Sequence, residues 1–166
     1  MATQDNLQAA FAGESQANRK YLAFAKKADQ QGFKQAARLF RAIAEAETIH
    51  AMSHLRLMQA VKDTADNLQA AIEGETYECT QMYPQFAAEA EREGNRAAVM
   101  VFSGVGKVEE GHKRLYEKAF ELVKAGKDMA DAPVYVCSVC GHIEIGGAPD
   151  KCPICGADKD KFEAVS

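Results

Sequence analysis

The feature that most constrains the fold of this chain is an internal repeat. The sequence LQAA at residues 7–10 recurs at residues 68–71, and Gly13-Glu14 recurs as Gly74-Glu75 at the same offset of 61 positions. With one residue inserted, the later part of the repeat pairs Phe40 with Phe102, Glu47 with Glu109, and His50 with His112. A duplication of this length predicts two copies of one structural unit that complete a common core.

Each copy has the pattern of a helical hairpin. Between residues 33 and 61, apolar side chains and histidines recur in alternating steps of three and four, which is the spacing of one helix face. Gly32 and Gly94 each follow a polar stretch and are typical of helix ends. Lys62–Asn67 is a polar segment that is expected to connect the two hairpins. The chain is therefore predicted to be mainly α, with a ferritin-like four-helix bundle.

The character of the sequence changes after Gly126. Pro133 precedes Val134, Tyr135 and Val136, and glycines, prolines and four cysteines follow, which predicts a short strand and tight turns. We place a domain boundary near residue 130, with the bundle at 1–130 and a small metal-binding module with short β-strands at 131–166.

The repeat preserves residues that can bind metal. Each first helix of a hairpin carries one glutamate, and each second helix carries Glu-x-x-His, in which both side chains project from one face. Two single glutamates and two Glu-x-x-His motifs are the ligand set of ferritin-like di-iron bundles. The set comprises Glu14, Glu47, His50, Glu75, Glu109 and His112. A lone glutamate on a helix is usually solvated, but six positions matched by the repeat favour a di-iron centre.

Three residues near this set are open to more than one interpretation. Glu78 lies three residues after Glu75 on the same face, so it is either a further ligand or an exposed carboxylate. His54, one turn beyond His50, is interpreted as a packing residue or as a support for the metal ligands, with direct contact to metal as the alternative. Cys79 is interpreted as a buried, inert thiol. Pro84 lies within a predicted helix and should kink it.

Four cysteines form two Cys-x-x-Cys motifs separated by eleven residues, and each motif is followed by glycine. They are Cys137, Cys140, Cys152 and Cys155. Such a pair of motifs predicts a tetrahedral thiolate site. Zinc is the commoner occupant and has no redox chemistry, whereas one iron would carry a single electron. A di-iron site in the same chain needs electrons, which favours iron and leaves zinc possible.

The bulk properties exclude several classes of protein. The formal net charge of −4 gives no reason to expect nucleic acid as a partner. The polar start of the chain does not resemble a signal peptide, and no apolar run approaches the roughly 20 residues that span a membrane. Clustered cysteines in a chain of this kind indicate metal binding in a reducing compartment. We therefore expect a cytoplasmic protein.

The chain resembles the rubrerythrin family over essentially its whole length. The resemblance rests on Phe11–Ser15 (FAGES), residues 46–50 (AETIH), 74–78 (GETYE), 82–84 (MYP) and 109–112 (EEGH), and on both cysteine motifs. It implies that Glu78 is a ligand, that His50 and Glu78 exchange at one iron, and that Tyr21 and Tyr83 hydrogen-bond the carboxylates. It also implies reduction of hydrogen peroxide to water, with electrons from rubredoxin or an NADH-dependent reductase.

The path of electrons between the two sites gives a further expectation. His112 lies about 14 residues before Gly126, so a helix would carry the chain roughly 20 Å away from the di-iron centre. The two metal sites of one chain would then be too far apart for quick electron transfer, unless the tail folds back along the bundle. We therefore expect a homodimer, arranged head to tail, in which electrons cross between chains. The alternatives are a ferroxidase or oxygen-activating di-iron protein, and an iron-storage or structural protein with a zinc-ribbon tail.

Overall fold

The computed structural model describes residues 2–165. The chain divides into two compact units, of which the first ends at Lys62 and the second begins at Asp63.

The first unit is a helical hairpin of α1 (Ala2–Gln30) and α2 (Lys34–Leu57). Gly32 has φ of +83°, in the left-handed region that favours glycine, and it ends α1 as predicted. Every residue of the hairpin that is buried is an alanine, which lets the two helices approach closely. These residues are Ala25, Ala28, Ala37, Ala44 and Ala51.

The helices of the second unit are α3 (Thr64–Tyr77), α4 (Tyr83–Arg92) and α5 (Arg96–Lys124). The polar connection before α3 is shorter than predicted, because the Asp63 side chain accepts a hydrogen bond from the backbone N–H of Asp66 at 2.9 Å and caps the helix. Gly94, with φ of +71°, lies between α4 and α5. The predicted mainly α architecture is confirmed.

A π-helical turn, Glu78–Met82, joins α3 to α4. At its end the backbone N–H of Tyr83 donates to the carbonyl of Glu78, five residues earlier. Pro84 follows within the first turn of α4, where its missing N–H is tolerated. The kink predicted at Pro84 thus takes the form of a widened turn, and such turns are frequent at functional sites.

The C-terminal part of the second unit is a three-stranded antiparallel sheet in the order β2-β1-β3, built from β1 (Val134–Cys137), β2 (Ile143–Ile145) and β3 (Phe162–Val165). A short 3-10 turn, Lys159–Lys161, precedes β3. The small core contains Cys137, Cys152 and Phe162. The strand predicted at residues 134–136 is confirmed. Within residues 2–165, no helix has the length and apolar character needed to cross a membrane.

Candidate metal centres

The four cysteine sulfurs converge on one point. All four Sγ atoms lie within 4.8 Å of one another, with Cys137 Sγ 3.8 Å from Cys155 Sγ and Cys140 Sγ 3.6 Å from Cys152 Sγ. These separations are far longer than the roughly 2.05 Å of a disulfide. They match the edge of about 3.8 Å expected for a tetrahedron of sulfurs bonded at about 2.3 Å to a central metal. The four residues therefore fit a single tetrahedral metal ion.

The backbone supports a thiolate at this site. Burial acts to raise the pKa of Cys137, but the backbone N–H groups of Cys140 and Val139, together with the thiols of Cys140 and Cys155, lower that pKa to about 7. Burial raises the pKa of Cys140. A bound cation deprotonates coordinating thiols outright, so it would remove this difference between the two cysteines.

The first unit brings together one half of the predicted bundle ligands. Ligand atoms of Glu14, Glu47 and His50 lie within 4.8 Å of one another, and His50 Nδ1 is 3.3 Å from Glu47 Oε2. Glu14 and Glu47 share a hydrogen bond, which raises the pKa of Glu14 and lowers that of Glu47. Two carboxylates that compete for one proton form a pair that a cation can bridge.

The second unit brings together the other half, Glu75, Glu109 and His112. His112 Nδ1 lies 2.7 Å from Glu109 Oε2 and 3.9 Å from Glu75 Oε2. Burial, followed by the charge of Glu109, raises the pKa of Glu75 to about 7. Its Oε2 atom is buried and has no hydrogen-bond partner among the described residues. An unpartnered carboxylate oxygen that faces another carboxylate and an imidazole fits a metal cation.

The ring of His112 is fixed from its other side by the cysteine module. Its Nε2 lies 3.0 Å from the carbonyl oxygen of Gly141, which directly follows Cys140. Donation from Nε2–H leaves Nδ1 free to bind metal, which is the arrangement that orients histidine ligands. The module thus folds back against α5 of its own chain, which is the alternative that the sequence left open, and the head-to-tail dimer stays a prediction.

Two glycines and Val108 explain how the module packs against α5. Gly141 has φ of +84°, and a Cβ built there would lie 3.9 Å from Val108 Cγ1. Val108 is 1% exposed. A Cβ built at Gly111 would lie 4.0 Å from His142 Nδ1. The module therefore lies within van der Waals reach of the helix that carries Glu109 and His112.

Glu78 lies at the first position of the π turn, beside the second cluster. Burial raises its pKa, as does the charge of Glu109, while His112 opposes the shift. Tyr83 follows the turn, and burial together with the charges of Glu78, Glu109 and Glu75 raises its pKa. Both predicted residues therefore lie near the cluster. The assignment of Glu78 as a ligand stays a prediction.

The two predicted tyrosines occupy equivalent aromatic clusters. Tyr21 packs against Phe24 and Phe40 with ring centroids 6.2 and 6.3 Å apart. Tyr83 packs in the same way, 6.3 Å from both Phe86 and Phe102. The repeat thus preserves the aromatic setting of each tyrosine. The hydrogen bonds from these tyrosines to carboxylates stay a prediction.

Sequence reasoning did not identify Gly106 as part of the site. A Cβ built at Gly106 would lie 3.1 Å from Tyr83 Cβ, closer than side chains ordinarily approach, so α5 needs glycine beside the tyrosine. A glycine inside a helix was the available signal.

The sequence also left the roles of His54 and Cys79 open. The Nδ1 atom of His54 is buried and has no hydrogen-bond partner in the described part of the chain. Cys79 is half-buried, and its Sγ lies 3.6 Å from the carbonyl of Thr76.

These features define a class of protein, in which a helical domain with paired glutamate and histidine ligands is joined to a four-cysteine metal module. Comparison with known families agrees. The family described as Rubrerythrin matches residues 5–120, and the family described as Rubrerythrin, rubredoxin-like domain matches residues 135–163. The chain belongs to the rubrerythrin family.

Individual relatives span nearly the whole chain. Rubrerythrin-2 of Clostridium acetobutylicum is 35% identical over 98% of this chain and 96% of its own length. Nigerythrin of Nitratidesulfovibrio vulgaris is 38% identical over 98% of this chain and 86% of its own length. A solved structure of partially reduced nigerythrin has a TM-score of 0.60 over 98% of this chain and 86% of that one, with 38% identity. The chain therefore has a di-iron domain and a rubredoxin-like four-cysteine iron site, and its role is that of an oxidoreductase.

Proposed function

We propose that this protein reduces hydrogen peroxide to water at a di-iron centre that receives electrons through the four-cysteine iron. The observation that carries the proposal is the contact between His112 and Gly141, which joins a histidine of the bundle cluster to the backbone beside Cys140. The balance is one peroxide, two protons and two electrons to two waters. The irons supply Lewis acidity and the electrons.

The ligands of the di-iron centre are proposed to come from both three-residue clusters. Glu47 and Glu109 would each hold iron, since each lies beside a second carboxylate and a histidine. Glu14 and Glu75 complete the carboxylates. Glu78 is proposed as a seventh ligand that exchanges with His50 as the oxidation state changes, an idea supported by the family and by its place on the π turn.

Proton delivery is assigned to residues beside the second cluster. Glu78 and Tyr83 have raised pKa values, so both groups hold a proton more tightly than usual. A protonated side chain near the cluster can donate to an oxygen that leaves as water. Tyr21 is the equivalent residue of the first hairpin and is proposed to act in the same way.

Electrons are proposed to move within one chain, from the cysteine iron through Cys140, the Gly141 carbonyl and His112. The head-to-tail dimer predicted from the sequence is not needed for this step, because the module already contacts the bundle ligand of its own chain. The outer side of the module is left to receive electrons from a separate rubredoxin or NADH-dependent reductase. We propose a reducing compartment such as the cytoplasm, because cysteines clustered in this way serve as metal ligands where disulfides do not form.

The test is a single-turnover experiment. The protein is loaded with iron, reduced anaerobically and mixed with one equivalent of hydrogen peroxide or with an equal concentration of dioxygen. Peroxide should be consumed with two electrons withdrawn per molecule, and the visible absorption of the ferric thiolate should then appear. Faster oxidation by dioxygen than by peroxide would favour the oxygen-activating alternative and contradict the proposal.

A further inference from the structure

We propose that Pro84 is a positioning residue for Tyr83, because it prevents the π turn before it from converting into a regular α-helix. The π turn keeps the tyrosine on the helix face that carries Glu75. The catalytic part of this inference rests on the proposed function, in which Tyr83 delivers a proton. The structural link between Pro84 and Tyr83 can be measured without any activity.

The first part of the repeat has an offset of 61 positions, which extends as far as Thr76. The hydroxyl of Ser15 donates to the carbonyl of Phe11 at 2.7 Å. In the second copy, the hydroxyl of Thr76 donates to the carbonyl of Ile72 at 2.6 Å. Both donors and both acceptors correspond at the offset of 61. Up to this point, the two copies are therefore matched in sequence and in local hydrogen bonding.

Beyond Tyr83 the offset is 62 positions. The aromatic clusters around Tyr21 and Tyr83 correspond residue by residue at that offset. One extra residue therefore lies between Thr76 and Tyr83. The π turn, Glu78–Met82, occupies that interval, whereas α1 continues through the equivalent segment as an uninterrupted helix. The π turn is thus the place where the second copy accommodates its extra residue.

Helix geometry shows what the π turn achieves. Tyr21 lies seven residues after Glu14, and at about 100° per residue this is about 20° short of two full turns, so both share one face. Tyr83 lies eight residues after Glu75, and a regular α-helix would direct it about 80° away from that glutamate. A π turn places one more residue within a single turn. It therefore returns Tyr83 to the face of Glu75.

Contacts within the second unit agree with this placement. A Cβ built at Gly106 of α5 would lie 3.1 Å from Tyr83 Cβ. Burial, followed by the charge of Glu78, raises the pKa of Tyr83. The tyrosine is therefore packed against α5 and lies near the carboxylates of the second cluster. A rotation of about 80° would remove it from both.

Pro84 explains why the turn does not convert into a regular helix. In such a helix the N–H of residue 84 would donate to the carbonyl of Thr80, four residues earlier. Proline has no N–H, and its ring clashes with that carbonyl. The bond that forms instead runs from the N–H of Tyr83 to the carbonyl of Glu78, five residues earlier. The equivalent residue of α1 is Leu22, and there the helix is regular.

The effect of Pro84 acts through the backbone and not through packing. Pro84 is exposed, so its replacement removes little contact. A cavity of about 370 Å³ lies beside it and is bordered by Thr80 and Gly106, which leaves room for a larger side chain. Pro84→Leu gives the second copy the residue that stands in α1. We therefore expect this variant to permit the regular helix, in which Tyr83 turns away from Gly106.

The first test is a double-mutant cycle between residues 84 and 106, read as the unfolding temperature of the full-length chain at matched metal content. With Pro84 present, Gly106→Ala should lower this temperature by at least about 2 °C, because the added Cβ meets Tyr83. In Pro84→Leu the same change should no longer lower it. Gly104→Ala meets open space and is the matched control, with the same effect in both backgrounds. An equal loss from Gly106→Ala in both backgrounds would overturn the proposal.

The second test restores the register by deletion. Removal of Gln81, an exposed residue of the π turn, returns Tyr83 to seven residues after Glu75. We expect Pro84→Leu alone to lower the peroxidase rate about 10-fold with bundle iron retained, and the added deletion to recover most of that loss. In a chain that keeps Pro84, the deletion should instead lower the rate, because proline would then lie inside a regular helix.

The outcomes separate this inference from the proposed function. A deletion that lowers the rate equally in both backgrounds would overturn the positioning role, and the temperature cycle decides it if a deletion variant does not fold. Coupling between residues 84 and 106 in a wild-type protein without peroxidase activity would contradict the proposed function alone. Peroxidase activity without that coupling would overturn the positioning role alone.

Discussion

The Nε2 atom of His112 lies 3.0 Å from the carbonyl oxygen of Gly141, the residue that follows Cys140. One hydrogen bond thus joins a candidate ligand of the di-iron centre to the loop that holds the cysteine iron. The same bond leaves His112 Nδ1 directed at Glu109, 2.7 Å away. The contact that orients this ligand is therefore also the one on which the proposed electron path depends.

Enlarging Gly111 tests this contact. A leucine there places its side chain toward His142, whose Nδ1 is 4.0 Å from the Cβ position, and should push the module off α5. We expect Gly111→Leu to slow re-reduction of the di-iron centre at least 10-fold, measured by stopped-flow absorption, while both metal sites stay occupied. Gly104→Leu, two turns earlier on the same helix with no heavy atom within 4 Å, is the matched control. Equal rates in the two variants would contradict the electron path.

Removal of the central carboxylates should empty the bundle site alone. Glu47→Ala together with Glu109→Ala removes one oxygen ligand from each cluster, so we expect loss of bundle iron and of peroxide reduction. The ferric-thiolate absorption should persist, because the four cysteines form their own core with Phe162. Iron analysis and a visible spectrum of the same sample check both statements. Loss of both chromophores would show that the two sites are not independent.

Glu78 should matter more for turnover than for metal binding. An exchanging ligand that also donates a proton serves one stage of the reaction, so we expect Glu78→Ala to retain bundle iron and to lose about 100-fold in peroxidase rate. The control is Glu73→Ala, an exposed glutamate of α3 whose side chain accepts a hydrogen bond from Gln69. Wild-type turnover in Glu78→Ala would reduce this residue to a structural carboxylate.

The place of Tyr83 can be tested without altering the tyrosine. The added Cβ in Gly106→Ala would lie 3.1 Å from Tyr83 Cβ and should displace the ring. Gly104→Ala meets open space and should stabilise the helix by about 0.5–1 kcal/mol. We expect a peroxidase rate about 10-fold lower in Gly106→Ala and an unchanged rate in Gly104→Ala, with thermal unfolding recorded for both. A normal rate in Gly106→Ala would remove Tyr83 from proton delivery.

Complementation between two defective chains tests whether electrons move within one chain. One chain carries Cys137→Ser and Cys152→Ser, the other carries Glu47→Ala and Glu109→Ala, and the two are unfolded and refolded together. Transfer within one chain predicts that the mixed dimers stay inactive, because neither chain then holds both metal centres. Recovered peroxide consumption in mixed dimers of confirmed mass would contradict the proposed path and show that electrons cross between chains.

Much of the fold follows from local sequence. The internal repeat, and the recurrence of apolar residues in steps of three and four positions, determine the helices. Gly32 and Gly94 end two of them because their backbones adopt positive φ. The two Cys-x-x-Cys motifs also predict that the four cysteines cluster. Each motif holds two sulfurs close together, and the four sulfurs meet once β1 (Val134–Cys137) forms. Each half of the glutamate and histidine set was also predictable, because residues three apart share one helix face.

The tertiary structure alone decided where the module docks and how the third helix is interrupted. The contact of Gly141 with His112 joins residues 29 positions apart and depends on how a flexible connection folds back, which helix periodicity does not encode. The π turn at Glu78–Met82 and the close approach of Gly106 to Tyr83 depend on packing between α4 and α5. The sequence by itself determined which side chains can bind metal, because that is a matter of chemistry and local spacing. The placement of the cysteine module beside His112 required the fold, because long-range contacts form only when whole elements pack.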